Sequence, residues 1–137
     1  MGQWRIDPGG QLITEWGYVS KPSLMSRLPS LLRREDGKWA VWMSLTPHEI
    51  ESQELCCRYT EGHVVVMGLG MGWVAANVAL RSEVERVTII EMDPDVISLF
   101  EQSGALDSLP GAVQEKIKIV SANALEWRPQ PGDSVDF

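Results

Sequence analysis

A chain of 137 residues with a net charge of −7 is long enough for a hydrophobic core and too acidic for a nonspecific grip on nucleic acid, which works by neutralising phosphates. Apolar residues make up 44% and charged residues 23%, the balance of an ordinary globular protein rather than a disordered one. No apolar run reaches the roughly 18 residues that cross a bilayer, MGQWRIDPGG carries no signal segment, and Ile6 stands where a myristoylation motif needs Ser or Thr.

Residues 1–45 read as a β-rich extension. WRID and QLITEWGYV are short extended candidates separated by the turn Pro8-Gly9-Gly10. SLMSRLPSLLRRE reads as a short helix or an irregular cover limited by Pro29. KWAVWMSL, after Asp36-Gly37, is another strand candidate, rich in aromatic and branched residues. Arg27, Arg33, Arg34 and Lys38 cluster loosely and read as a solvated face.

Residues 46–137 follow a different grammar. Thr46-Pro47-His48-Glu49 combines a capping hydroxyl, a proline at the first helical position and the acid of a capping box. The helix so started should run to about Tyr59 and end at Glu61-Gly62. HVVVMG then has the unbroken valines of a central parallel strand. Residues 73–81 return to a helical pattern, and VERVTIIE is a second buried strand ending in an acid. Asp93 caps the next helix, with Pro94 inside it. Val96, Ile97, Leu99 and Phe100 form its packing face, and Gly104 its exit. KIKIV at 116–120 is the third strand, and a fourth begins near Val135. Strand, helix, strand, helix, strand is α/β grammar with a parallel sheet.

Cys56 and Cys57 are adjacent inside a helical pattern. A disulfide framework needs separated cysteines, and a metal site needs more ligands than His48 and His63 add, so no metal is assigned. Reduced thiols point to the cytoplasm. Neither histidine is assigned to catalysis: His48 falls in a first helical turn and His63 precedes a buried strand.

Chemistry concentrates in MGLGMGWVAA at 67–76. Gly68, Gly70 and Gly72 follow a buried strand and open a helix, where glycines permit a tight turn and leave room beside backbone amides. The same glycines also serve close packing of helix on strand. Glu91 closes the following strand, 19 residues after Gly72. In a doubly wound sheet that puts a carboxylate beside the loop, able to accept both hydroxyls of a ribose. The dinucleotide fingerprint asks for a sixth-position glycine, and Trp73 stands there, so NAD is the last of the candidates. A G-x-G-x-G loop with no basic residue near it suits a cofactor without phosphates, such as S-adenosylmethionine.

Residues 64–124 resemble the first half of a class I S-adenosylmethionine-dependent methyltransferase, most of all the spermidine synthase-like group. The most specific elements are the glycine loop and TIIEMDPDVI, and DGKWAVWMSLTPHEIESQE resembles the strand and helix that precede the nucleotide domain in that group. The resemblance implies a Rossmann-like parallel sheet in which Gly68, Leu69, Gly70 and Gly72 form the methionine-side loop. It further implies that Glu91 binds the ribose and Met92 lies against adenine. Asn123, with Ala124 beside it, stands where the family commonly has an acid that bonds the adenine amino group; its carbonyl oxygen offers the same acceptor.

In that family the acceptor site is built around the fourth strand. Asp136-Phe137 opens that strand, so the domain reads as truncated after the third, and no residue matches the catalytic acid of the aminopropyltransferase branch. The expected strand order is 3-2-1, with the strand at 64–67 left as an open apolar edge. Such an edge should seek residues 1–45 or a second chain, giving self-association as a dimer or a fold-back. The leading reading is a cofactor-binding domain of a methyltransferase-like protein. A spermidine synthase-like aminopropyltransferase fragment and a non-catalytic protein-interaction scaffold are the alternatives.

Overall fold

The computed structural model describes residues 2–137 and comprises two compact units, one ending at Leu55 and the other spanning Cys56–Phe137.

The first unit is antiparallel. Strand β1 (Trp4–Asp7) pairs with β4 (Ser30–Glu35), which pairs with β5 (Lys38–Ser44); β2 (Ile13–Glu15) and β3 (Ser23–Met25) form a separate two-stranded ladder. The segment expected to be a helix or an irregular cover is therefore strand at Ser23–Met25 and again at Ser30–Glu35. Two observations explain the correction. Leu31 and Leu32, on opposite faces of β4, are both buried, and β4 is paired on both sides, with β1 and with β5. Asp36 and Gly37 both have positive φ, 48° and 79°, the geometry of a two-residue hairpin turn that commits the residues on either side to pair. Arg33 lies over both Trp4 and Trp42, whose rings meet edge to face at 5.5 Å.

Helix α1 (Pro47–Arg58) starts as expected, but its acid reaches further out. Glu49 Oε2 accepts from the Ser44 amide at 2.8 Å and the Ser44 hydroxyl at 3.1 Å, so the reciprocal bond goes to Ser44 and not to Thr46. Cys56 is exposed, Cys57 is buried, and neither is in a disulfide.

The second unit has three parallel strands in the order β6 (Gly62–Met67), β7 (Val84–Glu91) and β8 (Ile117–Ser121). Helices α2 (Trp73–Ala79) and α3 (Pro94–Ser103) connect them, with a short α4 (Gly111–Gln114) before β8. Val64, Val87, Ile89, Ile90, Val78 and Phe100 are buried in its core. Asp93 caps α3 by accepting the Asp95 amide at 3.0 Å, and Gly104 ends the helix at φ 63°. Lys116 donates to the carbonyls of Ala79 and Arg81, a cation at the negative end of α2.

The outer edge of β6 is not left open along its length. Asp136 donates its amide to His63 at 2.9 Å, and Val65 donates to the Phe137 carbonyl at 2.9 Å. The segment expected to begin a fourth strand thus lies along β6, and the expectation of a free edge is corrected from His63 to Val65. His63, 5% exposed, anchors this segment. Its amide donates to Asp136 Oδ2, Nδ1 lies 2.8 Å from the Ser134 carbonyl, and Nε2 lies 2.8 Å from Thr88 Oγ1. Nδ1 also lies 3.0 Å from an Arg86 guanidinium nitrogen, so it stands between an acceptor and a donor. Arg86 adds a 2.8 Å bond to Asp133.

Candidate functional site

The carboxyl ends of β6 and β7 lie side by side, with Met67 opposite Ile90. The chain turns sharply after each, and this parallel register brings Glu91 against the glycine loop. Glu91 Oε2 accepts the Leu69 amide at 3.0 Å, and Oε1 accepts the Asp93 amide at 2.9 Å. The carboxylate therefore bridges the loop after β6 and the turn after β7. Each oxygen uses one of its two acceptor directions on a backbone amide, leaving the other for a ligand.

Of the residues singled out in the sequence, Gly68, Leu69, Gly70, Gly72 and Glu91 come together here. Gly68 has φ 98° and donates to the Ile90 carbonyl at 2.8 Å, and a side-chain carbon added to it would meet no atom within 4 Å. Gly72 is different. It is buried, and an added carbon would strike the Phe100 ring, so its part is to let α3 approach. Leu69 presents its amide to Glu91 while its side chain is 5% exposed. Met92 is exposed, as are Met67 and Leu125, so an exposed apolar side chain stands at the end of β6 and others lie beyond the ends of β7 and β8. Trp73 opens α2 half-buried, and its carbonyl accepts from Asn77.

Asn123 and Ala124 follow β8 and are half-buried. The Ala122 amide donates to the Glu91 carbonyl at 3.0 Å, which ties this turn to the end of β7. Asn123 Oδ1, expected to be offered outward, accepts the Leu125 amide at 3.0 Å. One of its acceptor directions is thus spent on a local turn.

Sequence reasoning did not find the two amides that hold Glu91, nor the Phe100 contact. The amides carry no residue signature. The contact was legible in principle, because a glycine that begins a helix beside an apolar helix face marks close packing.

Among the described residues no group of three or more His, Cys, Asp and Glu is placed to hold a metal, and no helix is long and apolar enough to cross a membrane. A groove of about 610 Å³ lies in the first unit, lined by Arg5, Asp7, Ile13, Leu32, Trp39 and others. Its charges are engaged: Arg5 lies over Trp39 and near Asp7, which also accepts the Gly9 amide.

No family model and no curated protein matches the sequence. Solved structures do. The methyltransferase domain of bacterial CtHen1-CN aligns at 14% identity with a TM-score of 0.50, covering 64% of this chain and 47% of that one. The chain has a methyltransferase-like fold. Spermidine synthase from Thermotoga maritima aligns at 16% identity and TM-score 0.46 over 84% of this chain and 48% of that one. The glycopeptide N-methyltransferase MtfA aligns at 24% and 0.42 over 53% and 33%. The chain spans under half the length of each of these three proteins. In this methyltransferase-like fold, three parallel strands in the order β6-β7-β8 put Glu91 and the glycine loop at the carboxyl end of the sheet.

Proposed function

We propose that this chain carries the S-adenosylmethionine-binding part of a methyltransferase-like protein, with residues 46–137 as the cofactor domain. The observation that carries the reading is the Glu91 carboxylate held against the loop by the Leu69 and Asp93 amides. A carboxylate fixed by two amides on one side offers two acceptors to the other, which suits the vicinal hydroxyls of a ribose. The open space at Gly68 suits the methionine side of the cofactor, and the exposed Met92 and Leu125 suit the apolar faces of adenine. The residues present therefore fit the group. When bound, the sulfonium supplies an activated methyl; this chain's own residues bind and orient it. The acceptor and its binding residues are outside this reading. Cys56 and Cys57 as thiols outside any disulfide accord with a cytoplasmic site of action.

Calorimetric titration tests the reading. S-adenosylhomocysteine should bind saturably and NAD should not. Glu91→Gln and Glu91→Ala should each weaken binding at least about tenfold, the effect of losing hydrogen bonds to a charged acceptor. Preference for NAD, or equal binding by all three chains, would overturn it.

A further inference from the structure

We propose that Leu69 is a positioning residue: its buried side chain aims the Glu91 carboxylate by fixing the one loop amide that bonds to it. The ligand it is aimed at, a nucleoside with a vicinal diol, rests on the function proposed above; the geometric claim does not.

The loop from Gly68 to Gly72 has glycines at its first, third and fifth positions, with φ of 98°, 53° and 77°. Such residues have the widest backbone freedom of any and no side chain with which to restrain it. Leu69 stands between two of them and is 5% exposed. Its main chain is used at both ends: the amide donates to Glu91 Oε2 at 3.0 Å, and the carbonyl accepts the Gly72 amide at 2.9 Å. Residue 69 is thus the hub of the turn, and its isobutyl group is what ties that hub to the core.

The other oxygen of Glu91 depends on nothing in the loop, since it is held by Asp93 at 2.9 Å. Truncating Leu69 leaves every hydrogen-bonding group chemically unchanged. It removes the anchor between two glycine hinges, so the amide is free to swing away and Glu91 keeps only one of its two restraints. Recognition of a diol needs both carboxylate oxygens placed at once. A nucleoside lacking one of the two hydroxyls asks for only one of them. The loss of Leu69 should therefore fall on discrimination between ribose and 2′-deoxyribose more than on binding as such.

The experiment has two arms on the whole chain. Amide hydrogen exchange in the ligand-free protein should show residues 68, 69 and 93 protected. Leu69→Ala should lose protection at 69 while Gly68, whose amide donates to the Ile90 carbonyl, keeps it; Leu69→Met should keep both. A general loosening of the loop would lose both and overturn the proposal, as would persistent protection at 69 in Leu69→Ala. In the second arm the parent chain should prefer S-adenosylhomocysteine over its 2′-deoxy analogue by at least about tenfold. Leu69→Ala should reduce that preference to about threefold or less, and Leu69→Met should restore it. A preference unchanged in Leu69→Ala would overturn the proposal. A parent chain that protects residue 69 and binds neither compound would sink the cofactor reading while leaving the exchange arm to decide the role of Leu69.

Discussion

The Phe100 ring occupies the space into which any side chain at Gly72 would project, whereas the same position at Gly68 faces no atom within 4 Å. Both glycines have positive φ, 77° and 98°, so both resist substitution by backbone strain. Only one resists it by contact as well. Gly68→Ala is expected to cost about 1–2 kcal/mol, the strain of an L-residue in the left-handed region. Gly72→Ala should cost about 3 kcal/mol or more, because overpacking against the ring adds to that strain. Pairing it with Phe100→Leu should recover at least about 1 kcal/mol relative to additivity. Denaturant melts of the parent, the three single variants and the double variant check this; equal costs at the two glycines would contradict the packing assignment.

Covering the β6 edge is the task of the segment around Asp136, and its removal has a stated consequence. Asp136→Ala loses the carboxylate that accepts the His63 amide at 2.9 Å and should lower stability by about 1 kcal/mol. Deleting residues 133–137 should go further and bare the edge from His63 to Val65, which is a template for pairing with another chain. Sedimentation velocity should then show concentration-dependent self-association in the deletion chain and less of it in the parent. A deletion chain that stays monomeric at every concentration would count against this role.

Acid sensitivity of the first unit should trace in part to Glu51. The Val19 amide foremost, then Ser20, holds its carboxyl below the ordinary value. A carboxylate depressed by folding contributes stability above its unfolded pKa and loses it as pH falls through the folded one. Glu51→Gln should therefore be less stable than the parent at pH 7, with the gap closing below about pH 4. Glu51 is half-buried and its bonds to Val19 and Ser20 lie at the surface, where solvent screens them, so the gap should be small. Thermal melts across that range are the check, and a gap that widens in acid would reverse the sign.

Thiol chemistry should separate the adjacent cysteines. Cys56 is exposed and Cys57 is buried, and modification needs access as well as thiolate. One equivalent should react rapidly with an aromatic disulfide in the native protein and two after unfolding. Cys56→Ser should abolish the fast phase.

The second unit was legible because its signals are local and redundant. VERVTIIE became β7 residue for residue, since a run of buried branched side chains bounded by turns has few other uses. The Asp93-Pro94 start needs only its own neighbours, and the parallel register then leaves Glu91 no distant place to go. The first unit was less legible. Pro29 suggested a limit to any helix there, while the evidence for β4 lay across the turn, in the Asp36-Gly37 pair that obliges residues on both sides to match. Glu49 was assigned to the nearest free amide and found a better one at Ser44. The carbonyl of Asn123 was judged by residue type, and type does not reveal that a neighbouring amide has taken it. The covered edge of β6 depends on partners 71 to 73 residues apart, a separation that no local pattern encodes.

That separation also sets an order of events on the ribosome. The residues of β6, β7 and β8 are all joined before Asp133, and a nascent chain that has reached Ser121 holds all three segments but not the residues that sheathe His63 and Val65. At an elongation rate of about 5–20 residues per second, the interval to Phe137 is on the order of a second. Throughout that interval the edge of β6 from His63 to Val65 lacks the residues that cover it.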